Sequence, residues 1–436
     1  MLTPGTDLLL DVERPAAGGR MIARHDGRVV LVAGAIPGER VRARVERAER
    51  GVAFATVIDV VDASPDRRPV TGDPACGGCV FSHVVYPRQT DLKREIVVDA
   101  FRRIGKMTLD APVTVEASPE RGYRMRARLH VRGGRIGFFR EGTHELCDPA
   151  QTGQLLPETT SVLAMVGREL DAVGPAAVRS LELSENLTGA ERALYLELGP
   201  AGPPPAVYSG LVRLAGVTGV TCQALPADAV SLGGRPWVAD PVEALAGREP
   251  GSLGGVALKR RANAFFQANR HLLPALVSRV AGRIGDGPIV DLYAGVGLFA
   301  LTLAALGRPD VTAVEGDRVS AADLEENARP FAGRLRVERM AVEAFLASRS
   351  GGSVGTLLVD PPRTGMSRAA MDGVIACRAR RVVYVSCDVA TLARDVRRLV
   401  DAGYILTHVE AFDLFPNTAH VESLAALELS PGRRLG

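Results

Sequence analysis

Cys387 stands in YVSCDVATLARD, between a short apolar run and a helical stretch. A thiol at a helix N-terminus meets the positive end of the helix dipole, which favours the thiolate and makes a nucleophile. The competing reading is a packing cysteine, because cysteine is among the most buried residue types. Downstream, FDLFPNTAHVE brings Glu422 to the opening of a last strand. Glu422 is a candidate base, Glu410 and Asp413 compete with it, and a solvent-facing strand acid is the alternative. Asp360 begins the turn of TLLVDPPRTG, where two prolines make a stiff extended bend that holds the acid and its neighbouring carbonyls toward a crevice. Such a bend suits the gripping of a planar base or amide.

A glycine loop precedes these residues. In IVDLYAGVGLFA (289–300), Gly295 and Gly297 let the backbone approach a ligand closely and open a helix whose first N–H groups are free. GVGLFA also satisfies the loose GxGxxA pattern, which keeps a nicotinamide cofactor in contention. Glu315 follows Asp291 by 24 residues at the end of the next strand pattern. A carboxylate there can accept two ribose hydroxyl protons, from a nicotinamide cofactor or from S-adenosylmethionine.

These positions require a scaffold. From about residue 263 onward, PIVDLY, VTAVE, TLLVD and RVVYVSC are short apolar runs suited to buried parallel strands, with helical stretches between them. Right-handed crossovers then build a doubly wound sheet with its ligand at the C-terminal ends of the strands. The runs YILTHVEAFDLF and HVESLAALEL, joined by a Pro-Asn turn, predict a terminal hairpin on that sheet. Residues 1–62 alternate apolar and polar with closely spaced turns, as in a small antiparallel barrel. Residues 63–262 read as a mixed α+β region, and residues 263–436 as the third domain.

The 436 residues exceed one ordinary domain. A hydrophobic fraction of 46% with 24% charged residues is that of a globular chain and excludes disordered, collagen-like and coiled-coil classes. No apolar run is long enough to span a bilayer, and MLTPGTDLLLDVERP lacks the basic start of a signal peptide, so a cytoplasmic monomer is expected. In that compartment disulfides among the six cysteines are not expected. The net charge is only +3, yet residues 88–140 hold thirteen Lys or Arg against six Asp or Glu, a concentration suited to a phosphate backbone.

Taken together, FFQAN (265–269), DLYAGVGLF (291–299), VDPPRTGM (359–366), YVSCD (384–388) and FPNTAHVE (415–422) resemble, in order, the motifs of the S-adenosylmethionine-dependent RNA uracil-5-methyltransferases. VLVAGAIPGERVRARV is similar to the OB-like TRAM barrel that many members carry. The resemblance implies a class I, Rossmann-like methyltransferase domain, a barrel that grips RNA, and a uridine flipped from its strand. It implies Cys387 as the nucleophile that adds to carbon 6, and Glu422 as the base that removes the carbon-5 proton. Gln267, Tyr293, Leu298, Glu315 and Asp360 fall on cofactor-binding positions, and Arg363 on one that steadies the base or an enolate oxygen. Leu298 departs from an asparagine common in the family, leaving that contact to the backbone, and Ala341 replaces an Asn or Asp.

CGGC (76–79) and Cys147 resemble the iron–sulfur portion of the ribosomal-RNA members, which implies Cys76, Cys79 and Cys147 as three ligands of a [4Fe–4S] cluster. The family's first cysteine is missing from RRPVTGDPACGGC. Either Asp73 or His83 completes the set, or the cluster has been lost. Ribosomal RNA is the expected substrate by this analogy, with transfer RNA as the alternative. An RNA cytosine-5 methyltransferase would usually have a cysteine where this chain has DPPR. A nicotinamide oxidoreductase leaves DPPR and Cys387 idle, and a non-catalytic RNA-binding protein leaves Cys387 and Glu422 without purpose.

Overall fold

The computed structural model describes residues 2–174, 177–199, 202–224, 227–349 and 353–431. At the N-terminus, β1 (Asp7–Pro15), β2 (Met21–His25), β3 (Arg28–Ala33), β4 (Arg40–Glu49) and β5 (Val52–Asp62) close into a barrel in the order β1-β2-β3-β5-β4. Period-two alternation explains the closure. Leu8, Leu10 and Val12 of β1 meet Val41, Ala43 and Val45 of β4 inside, while their acidic and arginine neighbours face out.

The segment 63–262 is not of one piece in space. Its first part, α1 (Tyr86–Arg103) and β6 (Val115–Glu116), joins the C-terminal sheet. Ile96, Val97, Ala100 and Phe101 of α1 share a core with Val290, Leu357 and Tyr384, and β6 extends that sheet's edge. The next elements are β7 (Arg126–Arg132), β8 (Arg135–Phe139), β9 (Leu146–Cys147), α2 (Pro149–Thr152), α3 (Pro157–Val173), β10 (Val178–Glu185) and β11 (Arg192–Leu198). A 3-10 helix (Pro205–Arg213), β12 (Gly219–Ala224) and β13 (Val230–Gly234) follow, and the strands form a seven-stranded sheet in the order β13-β12-β11-β10-β7-β8-β9. Helix α3 and the 3-10 helix bury one face of it with Leu129, Val131, Leu181 and Leu196. A two-stranded unit, β14 (Trp237–Pro241) and β15 (Ala257–Arg261) with α4 (Val242–Leu245) between them, leads onward.

The third part alternates as its apolar runs predict. It comprises α5 (Leu273–Arg283), β16 (Ile289–Leu292), α6 (Leu298–Ala305), β17 (Val311–Val314), α7 (Arg318–Ala328), β18 (Leu335–Glu338) and α8 (Val342–Ser348). It continues with β19 (Thr356–Val359), α9 (Arg368–Cys377), β20 (Arg381–Ser386), α10 (Val389–Asp401), β21 (Tyr404–Phe412) and β22 (Glu422–Leu429). The sheet order is β18-β17-β16-β19-β20-β22-β21-β6, parallel from β18 to β20, with β22 antiparallel between β20 and β21. Strand order reverses beside β16, which opens a crevice at the C-terminal ends of β16 and β19. The terminal hairpin is present as expected. Among the described residues no helix is long and apolar enough to cross a membrane.

Candidate active site

Every candidate of the third domain lies at the C-terminal edge of this sheet. After β16 the chain turns sharply: Tyr293 is left-handed at φ 63°, a costly conformation for a bulky side chain, and Gly295 and Gly297 follow at 56° and 97°. A Cβ built on Gly295 would meet nothing within 4 Å, so the loop borders open space. Glu315, at the end of β17, fixes this loop by accepting from the Gly295 N–H at 2.7 Å and the Asp317 N–H at 2.6 Å. Beneath it, Asp291 is fully buried. One carboxylate oxygen accepts from the Ala300 N–H at 3.1 Å and the other has no partner among the described residues. Burial, reinforced by the charges of Asp360 and Glu315, holds this carboxyl well above its ordinary range. Leu298 does not contribute a side chain to this site. As the first residue of α6 it packs into the hydrophobic core, which leaves its backbone as the part able to meet a ligand.

The DPPR turn follows β19 and is braced from α10. Asp395 accepts from the Met366 N–H at 3.1 Å and the Tyr384 hydroxyl at 2.8 Å, and Arg394 donates to the Thr364 carbonyl at 3.2 Å. On this support Asp360 accepts from the Gln267 side-chain amide at 3.2 Å. Desolvation lifts Asp360 to about 7, against the lowering effect of Gln267. Cys387 directly follows β20 and precedes α10, whose N-terminus is capped by Asp388 through the Thr391 N–H. Burial and the nearby carboxyls of Glu422 and Asp360 push the half-buried thiol up to about 11, while the Arg363 guanidinium works in the opposite direction. Glu422 is 1% exposed and held well above its usual range by burial and by Asp360; its Oε1 has no partner. A thiol, two carboxyls and a guanidinium therefore converge at this edge of the sheet, groups able to serve as a nucleophile, a base and a charge stabiliser.

The competing carboxylates are occupied elsewhere. Glu410 bonds His408 at 3.0 Å and lies near Arg279 and Arg283. Asp413 forms a fully buried ion pair with Lys93.

Comparison with known proteins identifies the family. The sequence profile of the tRNA (uracil-5-)-methyltransferases matches residues 256–429, and that of the TRAM domain matches residues 2–58. A 23S rRNA (uracil(1939)-C(5))-methyltransferase RlmD from Pseudomonas putida is 33% identical over 96% of this chain and 93% of its own. The chain belongs to the RNA uracil-5-methyltransferase family. The RlmD of Alkalilimnicola ehrlichii is also 33% identical, over 94% of each chain. The fold of the Pyrococcus abyssi tRNA (uracil-54, C5)-methyltransferase, solved with S-adenosyl-L-homocysteine, superimposes with a TM-score of 0.74 at 23% identity, covering 96% of this chain and 99% of that one.

In this uracil-5-methyltransferase the loop that leads to Glu422 is held by residues that sequence reasoning missed. Gln89 of α1 donates to the Asn417 side-chain oxygen at 2.9 Å and accepts from the Asn417 N–H at 2.8 Å. Lys93, one helical turn on, pairs with Asp413 and donates to the Phe415 carbonyl at 3.0 Å. Asn269, the last residue of FFQAN, donates to the Leu414 carbonyl at 3.1 Å and caps the chain before α5 through the His271 and Leu272 N–H groups. A buried Gln and Lys on one helix face was the available signal. Nothing local pointed to partners more than 300 residues away.

The three cysteines of the second region also converge, though not as three thiolates. Cys76 and Cys147 are joined in a disulfide, their Cα atoms 5.9 Å apart, and Cys79 lies buried beside them. This overturns the expectation of isolated thiols: the β8–β9 hairpin carries Cys147 within bonding reach of Cys76. A sulfur bonded to sulfur offers no thiolate to iron. The proposed fourth ligands are also engaged, Asp73 with Arg140 at 2.8 Å and His83 with the Ala35 carbonyl at 3.2 Å. Among the described residues no three His, Cys, Asp or Glu are arranged to hold a metal ion. This donor set does not fit a [4Fe–4S] cluster.

Proposed function

We propose that this enzyme methylates carbon 5 of a uridine in 23S ribosomal RNA, with S-adenosylmethionine as donor and a covalent bond between Cys387 and carbon 6 as intermediate. The observation that carries the reading is the strand register that sets Cys387 and Glu422 side by side, one residue beyond the Ser386–Ser423 pair, with Asp360 and Arg363 near enough to act on the thiol. The RNA class rests on the two 23S rRNA enzymes that this chain matches over nearly its full length. The barrel of residues 1–62 and the region 63–262 hold RNA, and residues 263–436 carry the chemistry.

The residues present suit S-adenosylmethionine. The open cradle at Gly295, the Glu315 carboxylate beside it and the unpartnered oxygen of buried Asp291 offer a glycine turn, an acceptor for ribose hydroxyls and an acceptor for an ammonium group. Gln267, Tyr293 and Asp360 complete its surroundings, with Leu298 acting through its backbone. When bound, it supplies an electrophilic methyl group.

The protein does the rest. The Cys387 thiol gives its proton to solvent and the sulfur bonds to carbon 6; the C5–C6 π pair shifts toward carbon 5 and the carbon-4 oxygen, where Arg363 offsets the charge. Once carbon 5 carries the methyl, Glu422 takes its proton, the C5–C6 double bond re-forms and the sulfur leaves. Because the target atoms are stacked within RNA, the uridine is flipped into the pocket.

The test is methylation of 23S rRNA and bulk tRNA transcripts, with nucleosides analysed by mass spectrometry. The reading expects 5-methyluridine in 23S rRNA. Its appearance only in tRNA would reassign the substrate, and 5-methylcytidine would overturn the reading.

A further inference from the structure

We propose that the open face of the central sheet carries a second RNA subsite, a stacking platform of His130 and Phe139 flanked by Arg128 and Arg132, which takes a single-stranded base next to the flipped uridine's segment. It rests on the reading of the chain as an RNA methyltransferase, and it concerns a face of the central sheet that holds none of the residues assigned to the reaction. Alternation along β7 sends Ala127, Leu129 and Val131 into the core and Arg126, Arg128, His130 and Arg132 to the other face. On that face the His130 imidazole lies flat on the Phe139 ring, centroids 3.5 Å apart and planes 8° from parallel. His144 meets Phe139 edge-on at 5.3 Å, and the Arg132 guanidinium is 5.9 Å from the ring centre.

Three features make this a nucleic-acid site rather than a solvated strand. Stacked rings on an open sheet present a π face that any base can cover, and arginines beside them meet the adjoining phosphates. Arg132 and Arg135, paired across the β7–β8 turn, form no ion pair among the described residues, although Arg126, Arg128 and Arg140 all do. The face is also continuous with the active site. Arg126 lies over exposed Phe265 at 5.5 Å, two residues before Gln267, and four strand residues of about 13 Å separate Arg126 from His130. A strand leaving the uridine pocket thus reaches the platform after a few nucleotides.

The experiment measures binding of a short fluorescent oligouridylate to the full chain by anisotropy, across salt concentrations. Phe139→Leu keeps apolar bulk without the π face, His130→Ala removes the upper ring, and Phe139→Tyr restores stacking. The first two should weaken binding about fivefold or more with an unchanged salt slope, and Phe139→Tyr should bind as the wild type. Arg132→Gln should reduce the salt slope by about one. Leu and Ala variants that bind within twofold of the wild type would overturn the subsite, as would equal losses for duplex RNA. Wild-type formation of 5-methyluridine is scored in parallel, so failure of the subsite is separate from failure of the assigned reaction.

Discussion

Cys387 and Glu422 face each other at the open end of an antiparallel strand pair. Strands β20 and β22 are in register at Ser386 and Ser423, and one residue further on each strand stand the thiol and the carboxylate. The hairpin that departs from a plain parallel sheet thus brings Glu422 beside Cys387, the proposed nucleophile, just past the fifth parallel strand.

That juxtaposition separates the two halves of the reaction. Glu422→Gln should leave addition of the sulfur intact and block proton removal, so turnover falls by about 10²- to 10⁴-fold while an RNA-bound protein species accumulates. Denaturing gels would display it. Normal turnover of the variant would assign the base elsewhere.

Arg363 is the cation that opposes the upward push on Cys387. Adduct formation needs the thiolate, so its rate should climb with pH as the raised thiol ionises. Arg363→Gln removes a charge that favours the thiolate, so the climb should move to higher pH by roughly one unit. Single-turnover rates against pH would check this, and an unmoved or downward-shifted curve would remove Arg363 from the site.

The two loop glycines should fail differently. A methyl added to Gly295 points into open space, so Gly295→Ala should raise the KM for S-adenosylmethionine with a stability loss of only about 1–2 kcal/mol from its positive φ. A Cβ on Gly297 would meet Leu301 Cδ1 and Leu324 Cδ1 at 2.7 Å or closer, so Gly297→Ala should lower stability by roughly 1–3 kcal/mol beyond that strain. Thermal melts and saturation curves would distinguish them.

Much of this arrangement was legible in the chain. Short, largely apolar runs ending in Leu292, Val314, Val359 and Ser386 gave buried parallel strands, because both faces of each are covered. Alternation in RVVLVAGA, RVRARVE and VAFATVIDVV gave the barrel. Harder to see was that α1 belongs under the C-terminal sheet, since an amphipathic helix records that it has a buried face and not what covers it. Leu298 opens α6 with its side chain in the core, which is consistent with the expectation that its backbone makes the contact. The Cys76–Cys147 pair spans 71 residues, and spacing alone does not encode such a pairing.

The Lys93–Asp413 pair, with both side chains fully buried, ties α1 to the loop preceding Glu422. Lys93→Met alone leaves an uncompensated buried carboxylate and should cost about 3–5 kcal/mol, whereas Lys93→Met with Asp413→Leu should recover much of that loss. Urea unfolding of the two single variants and the double variant would measure the coupling. Additive losses would mean the pair does not act as a unit.

The proposed bond between Cys387 and the uracil ring should be open to trapping. In RNA carrying 5-fluorouridine, carbon 5 bears fluorine where Glu422 would need a proton, so the adduct formed with S-adenosylmethionine persists. Mass spectrometry should find RNA attached to the peptide containing Cys387 in the wild type and no adduct in Cys387→Ala. An adduct that survives in Cys387→Ala, or one mapped to another residue, would contradict the assignment of the nucleophile.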